Sequence, residues 1–257
     1  MRPFWPAWPR LKNRIRSSRR KLLLLDFDGT LTPIVRNPDA VAVDEKTRNR
    51  LKLLSGARNC VVAVVSGRSL KDLKRRFSLS KAIYVGNHGL ELAGRGLTLP
   101  PAAKQARGGV RLMRLLEQKL ESAFCFWPGV TVENKVYTVS LHFRNLNKDR
   151  KPAFNEIVDF FKRKSKKYPV AWRKGKKVWE IRPVPAWNKG DMALYLAKRF
   201  PSALPIAVGD DQTDEDMFRA LKNRGITVRI GRSKGSGADY YLNSQKEVGV
   251  FLEKLCF

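Results

Sequence analysis

The sequence contains no apolar run approaching the roughly 20 residues that a helix needs to span a bilayer. Its only cysteines are Cys60, Cys125 and Cys256. Because an odd number without paired spacing argues against a disulfide framework, we expect a reducing compartment. Near the amino terminus there is no apolar segment of the kind found in secretory signals. From these absences we expect a cytoplasmic protein.

Acidic residues are scarce, since 23 Asp and Glu stand against 52 Lys and Arg and leave a net charge of +29. Such a charge favours anionic partners, including phosphorylated metabolites, nucleic acid and anionic membranes. The sequence has no RNP motif and no zinc-ligand spacing, so we expect no specific nucleic-acid partner. A generally basic, solvated surface explains the charge better than a specific site for a polyanion.

Residues 1–20 form a basic segment with prolines at positions 3, 6 and 9. Because proline interrupts helices, the pattern predicts an extended start and at most a short basic turn around Leu11 and Ile15. We expect a loosely attached arm, with weak association to anionic surfaces as a potential role.

Four leucines, Leu22–Leu25, are followed at once by Asp26 and Asp28 and then by Gly29 and Thr30. The apolar run is typical of a strand buried on both faces of a sheet, with a polar turn at its carboxyl end. Two carboxylates at such an end can share a cation, or divide the roles of nucleophile and proton donor. Taken alone, such a motif is more often only a polar loop after a core strand.

The succession of apolar strand and polar turn recurs along the chain. Residues 60–65 precede Ser66, residues 82–85 precede Asn87 and His88, and residues 204–209 precede Asp210 and Asp211. Helical patterns lie between these strands, and Lys189 opens one of them. The alternation predicts an α/β fold with a Rossmann-like, doubly wound parallel sheet, with residues 227–230 as an edge strand. Ligands bind at the carboxyl ends of such strands.

Between about residues 100 and 183 the pattern changes to helix, two strands, helix and two strands. It predicts a smaller inserted α+β domain, with a core formed by residues 21–99 and 184–257 and the arm at 1–20. Strand alternation places Thr138, Ser140, His142 and Arg144 on one face, and it places Glu180 and Arg182 together on a face of another strand. A polar sheet face is often only solvated, so its use stays open here.

The polar strand ends together have the composition of a phosphate and metal site. Asp26 and Asp28, with the Asp210 cluster, offer the oxygen ligands that Mg²⁺ prefers. Ser66 and Lys189 could hold the remaining phosphate oxygens. These parts describe phosphoryl transfer, where positioning and charge neutralisation supply most of the catalysis.

Several motifs make the sequence resemble the haloacid dehalogenase (HAD) superfamily of aspartate-nucleophile phosphatases, and within it the trehalose-6-phosphate phosphatase family, with a subclass IIB cap. They are DFDGTLTPI (26–34), SGR (66–68), GNHGLE (86–91), VENKVYTVSLHFR (132–144), GKKVWEIRP (175–183), NKG (188–190) and GDDQTDEDMF (209–218). The resemblance covers about residues 21–255. It implies an HAD core with an inserted cap, and Mg²⁺-dependent hydrolysis of trehalose 6-phosphate through an aspartyl-phosphate. It also implies that the synthase is a separate chain.

The resemblance assigns roles to individual residues. Asp26 would be the nucleophile and Asp28 the acid and base. Mg²⁺ would be held by Asp26, the Asp28 carbonyl and Asp210, with help from Asp211 and Asp214. The expected phosphate ligands are Thr30, Ser66, Arg68 and Lys189, and the expected sugar contacts are Asn87, His88, Glu133, Lys135, His142, Arg144, Lys176, Glu180 and Asn188.

Two alternative functions remain open from the sequence. The same core could hydrolyse another sugar phosphate, of the sucrose or glucosylglycerate phosphate type. The chain could also be a non-catalytic basic binding protein. The presence of both Asp26 and Asp28 argues against the latter, since a protein without chemistry needs neither.

Overall fold

The computed structural model describes residues 1–35, 41–106, 109–184 and 187–256. The chain forms two compact units. The larger consists of Met1–Leu99 with Asn188–Phe257, and the smaller of Pro100–Trp187.

The strands and helices are numbered in chain order. The strands are β1 (Arg2–Pro3), β2 (Arg20–Leu25), β3 (Cys60–Val65), β4 (Ile83–Gly86), β5 (Glu91–Ala93), β6 (Thr131–Asn134), β7 (Val139–His142), β8 (Val170–Gly175), β9 (Val178–Pro183), β10 (Ala203–Gly209), β11 (Ile226–Ile230) and β12 (Tyr240–Leu242). The helices are α1 (Phe4–Ser17), α2 (Glu45–Gly56), α3 (Leu70–Arg76), α4 (Pro101–Ala106), α5 (Val110–Phe124), α6 (Lys151–Ser165), α7 (Lys189–Arg199), α8 (Glu215–Leu221) and α9 (Glu247–Lys254). No helix in the described ranges combines the length and apolarity needed to cross a membrane.

The larger unit is built on one sheet with the order β1-β12-β11-β10-β2-β3-β4-β5. Neighbouring strands run parallel, except that β5 is antiparallel to β4. Leu22–Leu25 of β2 are fully buried, because β2 lies between β10 and β3 and its residues face the core on both sides. The predicted α/β fold with a parallel sheet is confirmed.

The prediction of an edge strand at residues 227–230 was wrong. β11 covers this stretch and lies between β10 and β12, with β1 beyond β12. The outer strands are only three and two residues long. Segments this short carry too little periodicity to be recognised in a sequence.

The expected loose arm is instead a docked helix. Phe4, Leu11 and Ile15 of α1 are buried in the core of the larger unit. Pro6 lies in the first turn, where a missing amide hydrogen costs no intrahelical bond, so only Pro9 interrupts the helix interior. The apolar face at positions 4, 11 and 15 stabilises α1 despite its prolines.

The smaller unit contains an antiparallel sheet with the order β6-β7-β9-β8. Its core is formed by one face of this sheet with α5 and α6, and includes Leu120, Leu141 and Phe154. The helix predicted at the start of this unit corresponds to α4, which ends at Ala106, and to α5, which begins at Val110. Residues 107 and 108 lie outside the described part of the chain.

Candidate active site

Asp26 follows β2 directly and is 4% exposed. Its amide donates a hydrogen bond to the carbonyl of Val208 on β10, at 2.9 Å, so the backbone continues the parallel pairing for one more residue. The chain then turns at Gly29, which has φ of +86°, and a Cβ at this position would lie 2.3 Å from Oδ2 of Asp210. Glycine is therefore required both for the turn and for the close approach of the two strand ends.

Lys189 is the first residue of α7, and its ammonium joins two carboxylates. Nζ lies 2.5 Å from Oδ1 of Asp26 and 2.7 Å from Oδ1 of Asp214, and all three side chains are buried. Asn188 caps the helix, because its Oδ1 accepts hydrogen bonds from the amides of Gly190 and Asp191. This cap fixes where α7 begins and hence the direction of the lysine side chain.

Asp214 orients the loop that follows β10. Its Oδ2 accepts hydrogen bonds from the amides of Asp210 and Asp211, at 2.9 and 3.0 Å. On the other side of the loop, Arg229 of β11 donates to the carbonyl of Asp210 at 2.5 Å and to Glu215 at 2.8 Å. Arg229 was not predicted from the sequence, because nothing in its local pattern distinguishes it from other basic residues.

The carboxylates of Asp26, Asp210 and Asp214 form the candidate metal site. One oxygen of each lies within 4.8 Å of the others. Three carboxylates facing one ammonium leave a net negative charge, which suits a divalent cation with oxygen ligands. Among the described residues, Asp211 is not part of this group, and its amide donates a hydrogen bond to Asp214.

Burial perturbs both partners of the central ion pair. It raises the pKa of Asp26 well above its usual value; the charge of Asp214 adds to this effect, and Lys189 opposes it. Burial alone would lower the pKa of Lys189, but Asp214 and Asp26 outweigh it and raise that pKa, so the ammonium stays charged. A cation beside Asp26 would favour its carboxylate form.

Arg68, an expected phosphate ligand, pairs with Asp28 in the structure, and its contact with phosphate stays a prediction. Its Nε and Nη2 donate to the two carboxylate oxygens of Asp28, both at 2.7 Å. Its Nη1 donates to Asp72 at 2.8 Å, and its guanidinium lies over the ring of Phe27. Burial would raise the pKa of Asp72, yet hydrogen bonds from Arg76, Arg68 and Arg75 hold it far below its usual range.

Ser66, Asn87 and His88 form one buried turn structure. The Ser66 hydroxyl accepts from the amide of Arg68, while the amides of Asn87 and His88 donate to the carbonyls of Arg68 and Ser66. The Asn87 amide group donates to Glu91 at 2.9 Å, and Glu91 also accepts from the amide of Leu70 at the start of α3. Sugar contacts by Asn87 and His88 therefore stay predictions, whereas their support of the Ser66–Arg68 turn is observed.

Thr30 is the remaining expected phosphate ligand. It is fully buried just after the turn at Gly29. Within the described residues its Oγ1 has no hydrogen-bond partner, which leaves this oxygen for a ligand.

The smaller unit brings most of its expected sugar contacts onto one face. Nε2 of His142 lies 2.8 Å from Oε2 of Glu133, and Lys135 Nζ lies 3.8 Å from Glu133 and 3.9 Å from Glu180. Glu180 is 7% exposed and forms an ion pair with Arg182. Arg144, after β7, and Lys176, between β8 and β9, are exposed at the ends of these strands.

Known proteins resemble the chain in sequence and in structure. A family model described as trehalose-phosphatase matches residues 24–246. Trehalose-phosphate phosphatase B of Arabidopsis thaliana is 32% identical over 255 residues, which cover 91% of this chain and 66% of the relative. Trehalose 6-phosphate phosphatase RA3 of Zea mays is 33% identical, with coverage of 91% and 69%. The chain thus spans about two thirds of the length of these relatives.

A solved structure supports the same relationship. The C-terminal domain of the trehalose-6-phosphate phosphatase of C. albicans superposes with a TM-score of 0.82 at 25% identity. The match covers 96% of each chain.

Proposed function

This chain belongs to the trehalose-phosphatase family, and we propose that it hydrolyses trehalose 6-phosphate to trehalose and phosphate. The observation that carries the proposal is the buried Asp26–Lys189–Asp214 constellation at the carboxyl end of β2, with Asp210 beside it. A buried carboxylate with a fixed ammonium and further carboxylates suits a nucleophile that acts on a phosphate ester. A merely structural loop would not need this concentration of buried charge.

We propose that Asp26 attacks phosphorus, forming an aspartyl-phosphate as the bond between phosphorus and the sugar oxygen breaks. Asp28 donates a proton to that oxygen, and trehalose leaves. Asp28 then accepts a proton from water, which attacks phosphorus and releases phosphate and the Asp26 carboxylate. Lys189 neutralises negative charge on the phosphoryl oxygens, and Thr30 and Ser66 offer hydroxyl groups to them.

In this mechanism we assign Arg68 to Asp28 rather than to the phosphate. Its bidentate pairing orients the Asp28 carboxylate, and the pairing of Arg68 with Asp72 fixes the guanidinium in turn. Asp28 has to weaken this ion pair when it carries the proton for the leaving group. Arg68 would thus hold Asp28 ready between the two proton transfers.

The carboxylate cluster fits a magnesium ion. We propose that Asp26, Asp210 and the carbonyl of Asp28 hold it, while Asp214 orients the Asp210 loop and Lys189, with Asp211 nearby. When bound, the ion would offset the charge of the phosphoryl oxygens during transfer.

We propose that the smaller unit is the cap that selects the sugar, through the face that carries Glu133, Lys135, His142 and Glu180. Its paired charges offer both donors and acceptors to sugar hydroxyls. Arg144, Lys176, Asn87, His88 and Asn188 complete the proposed contacts. We further propose that the protein acts in the cytoplasm and that a separate synthase chain supplies its substrate.

A panel of sugar phosphates, assayed for phosphate release with Mg²⁺ or with EDTA, tests this function. We expect trehalose 6-phosphate to be preferred over sucrose 6-phosphate and glucosylglycerate phosphate, and activity to require the metal. A preference of less than about tenfold in kcat/KM, equivalent to about 1.4 kcal/mol, would defeat the substrate assignment.

Substitution of the nucleophile tests the mechanism separately. Asp26→Asn should lower kcat by roughly a thousandfold or more. Asp159→Asn, at an exposed carboxylate of α6 in the smaller unit, is the matched control and should retain activity. Unchanged phosphate release in Asp26→Asn would favour the non-catalytic alternative or a different nucleophile.

A further inference from the structure

A basic cavity lies between the docked helix α1 and the outer strands of the large sheet. It is a cavity of about 180 Å³ whose lining includes Arg2, Arg10 and Arg14. The other lining residues are Asn223, Gly225, Asp239 and Tyr240. None of these residues belongs to the candidate active site.

The cavity lies sideways across the sheet from Asp26, next to β11 and β12. Gly225 directly precedes β11, and Tyr240 is the first residue of β12. Both strands run parallel to β2, whose carboxyl end leads into Asp26. The strand register aligns Tyr240, through β11 and β10, with Leu25 at the end of β2, so three strand spacings, about 14 Å, separate these two residues. The cavity is therefore a site of its own.

Packing of α1 holds the arginines in place. Phe4 is fully buried and makes edge contacts with the rings of Tyr240 and Phe251. The Trp5 indole donates to Glu247 of α9 at 2.7 Å. Arg2 lies in β1, where its amide donates to the carbonyl of Asp239, at 2.9 Å. The three basic side chains thus extend from a fixed backbone rather than from a mobile tail.

The three arginines of this cavity face a single carboxylate in its lining, Asp239, which balances only part of their positive charge. Within the described ranges, the guanidinium groups of Arg2, Arg10 and Arg14 form no hydrogen bond or ion pair with other residues. α1 contains no acidic residue. The one carboxylate of the lining, Asp239, accepts a hydrogen bond from Thr227 at 2.8 Å. Arg10 and Arg14 are one helical turn apart, so their like charges repel unless an anion lies between them.

We propose that this cavity binds a small phosphate-type anion with two or more negative charges, such as diphosphate or a compact phosphate ester. Guanidinium groups recognise phosphate oxygens through paired hydrogen bonds, and three exposed arginines line this cavity. The volume is below the roughly 300 Å³ at which pockets for larger organic ligands begin, which favours a compact anion. Because α1 forms one wall, binding would stabilise the docked helix.

Isothermal titration calorimetry with inorganic diphosphate, in a buffer that contains EDTA, tests the proposal. The test variant is Arg10→Gln/Arg14→Gln, which removes two exposed guanidinium groups and leaves the apolar face of α1 intact. The control is Lys12→Gln/Arg19→Gln, which removes the same charge from the same segment outside the cavity lining. We expect the dissociation constant of diphosphate to be at least about tenfold higher in the test variant, and to change by less than about threefold in the control.

The candidate active site is the same in all three proteins, so diphosphate bound there contributes equally to each titration. Turnover of the sugar phosphate should also be equal in all three, and circular dichroism should confirm that each is folded. Equal diphosphate affinity in the test and control variants would overturn the proposal, as would an absence of binding in the wild type at millimolar diphosphate. Binding to phosphatidylserine vesicles or to a single-stranded oligonucleotide, but not to diphosphate, with the same loss in the test variant would also overturn it.

Discussion

Lys189 should contribute to folding as well as to catalysis, and its replacement by methionine tests the reasoning about the site. Its ammonium lies 2.5 Å from Asp26 and 2.7 Å from Asp214, and the three side chains are 3%, 6% and 0% exposed. Removing one partner of a buried ion pair costs about 3–5 kcal/mol, because an unpaired charge stays buried. Here two carboxylates lose their partner at once, so Lys189→Met should fall in the upper part of this range.

The loss should depend on pH with a definite sign. The folded-state pKa of Asp26 is already above its unfolded value, so protonation of Asp26 favours the folded state. Without the ammonium this pKa rises further. The stability deficit of Lys189→Met should therefore be largest near pH 8, and it should shrink as the pH falls and Asp26 becomes neutral.

Urea unfolding at pH 8 and at pH 5, in EDTA, measures both effects. Lys198→Met is the matched control, because Lys198 is an exposed lysine of the same helix. The double variant Lys189→Met/Asp214→Asn should recover part of the loss, since it removes one of the abandoned charges. A deficit below about 1 kcal/mol at pH 8, or an equal deficit at both pH values, would refute this account of the buried cluster.

Three further predictions concern other parts of the protein. Arg68→Lys keeps the charge but loses the bidentate geometry, so kcat should fall about tenfold or more while the inhibition constant of inorganic phosphate stays unchanged. A higher inhibition constant with normal kcat would mean that Arg68 binds the phosphate instead. Phe4→Ala should lower the free energy of unfolding, measured with urea, by about 3–5 kcal/mol, because Phe4 is fully buried. Arg10→Ala, on the exposed side of α1, should change it by less than about 0.5 kcal/mol. Equally small effects of both substitutions would mean that α1 is not docked in solution. A thiol reagent at pH 8 should modify exposed Cys125 and Cys256 in the native protein but not Cys60, because burial raises the pKa of Cys60 to about 11. Modification of all three thiols without denaturant would contradict the burial of Cys60 in β3.

Much of the fold was predictable because its signals are local. The four consecutive leucines Leu22–Leu25 are all buried only if their strand is covered on both faces. The alternation of such runs with helical segments predicts a parallel sheet. The polar residues at the strand ends were visible for the same reason. The family resemblance depends on these motifs, and the comparisons confirm it.

The docking of α1 could not be predicted in this way. Its prolines and arginines dominate the local sequence, while its stability comes from the contacts of Phe4 with Phe251 and Tyr240, more than 230 residues away along the chain. The same separation hid the arginine cavity, since Arg2, Arg10 and Arg14 meet Tyr240 only after β1 has paired with β12. Local propensity is a weak guide wherever tertiary packing supplies the stabilisation.

The sequence by itself determined which strand ends carry carboxylates, a hydroxyl and an ammonium, because these depend on the order of apolar and polar residues along the chain. Only the tertiary structure decided how those groups are paired. It joins Lys189 to Asp26 and Asp214, and it gives Arg68 to Asp28 and Asp72. The physical reason is that an ion pair depends on distance and burial, and both are established only when segments remote in the sequence pack together.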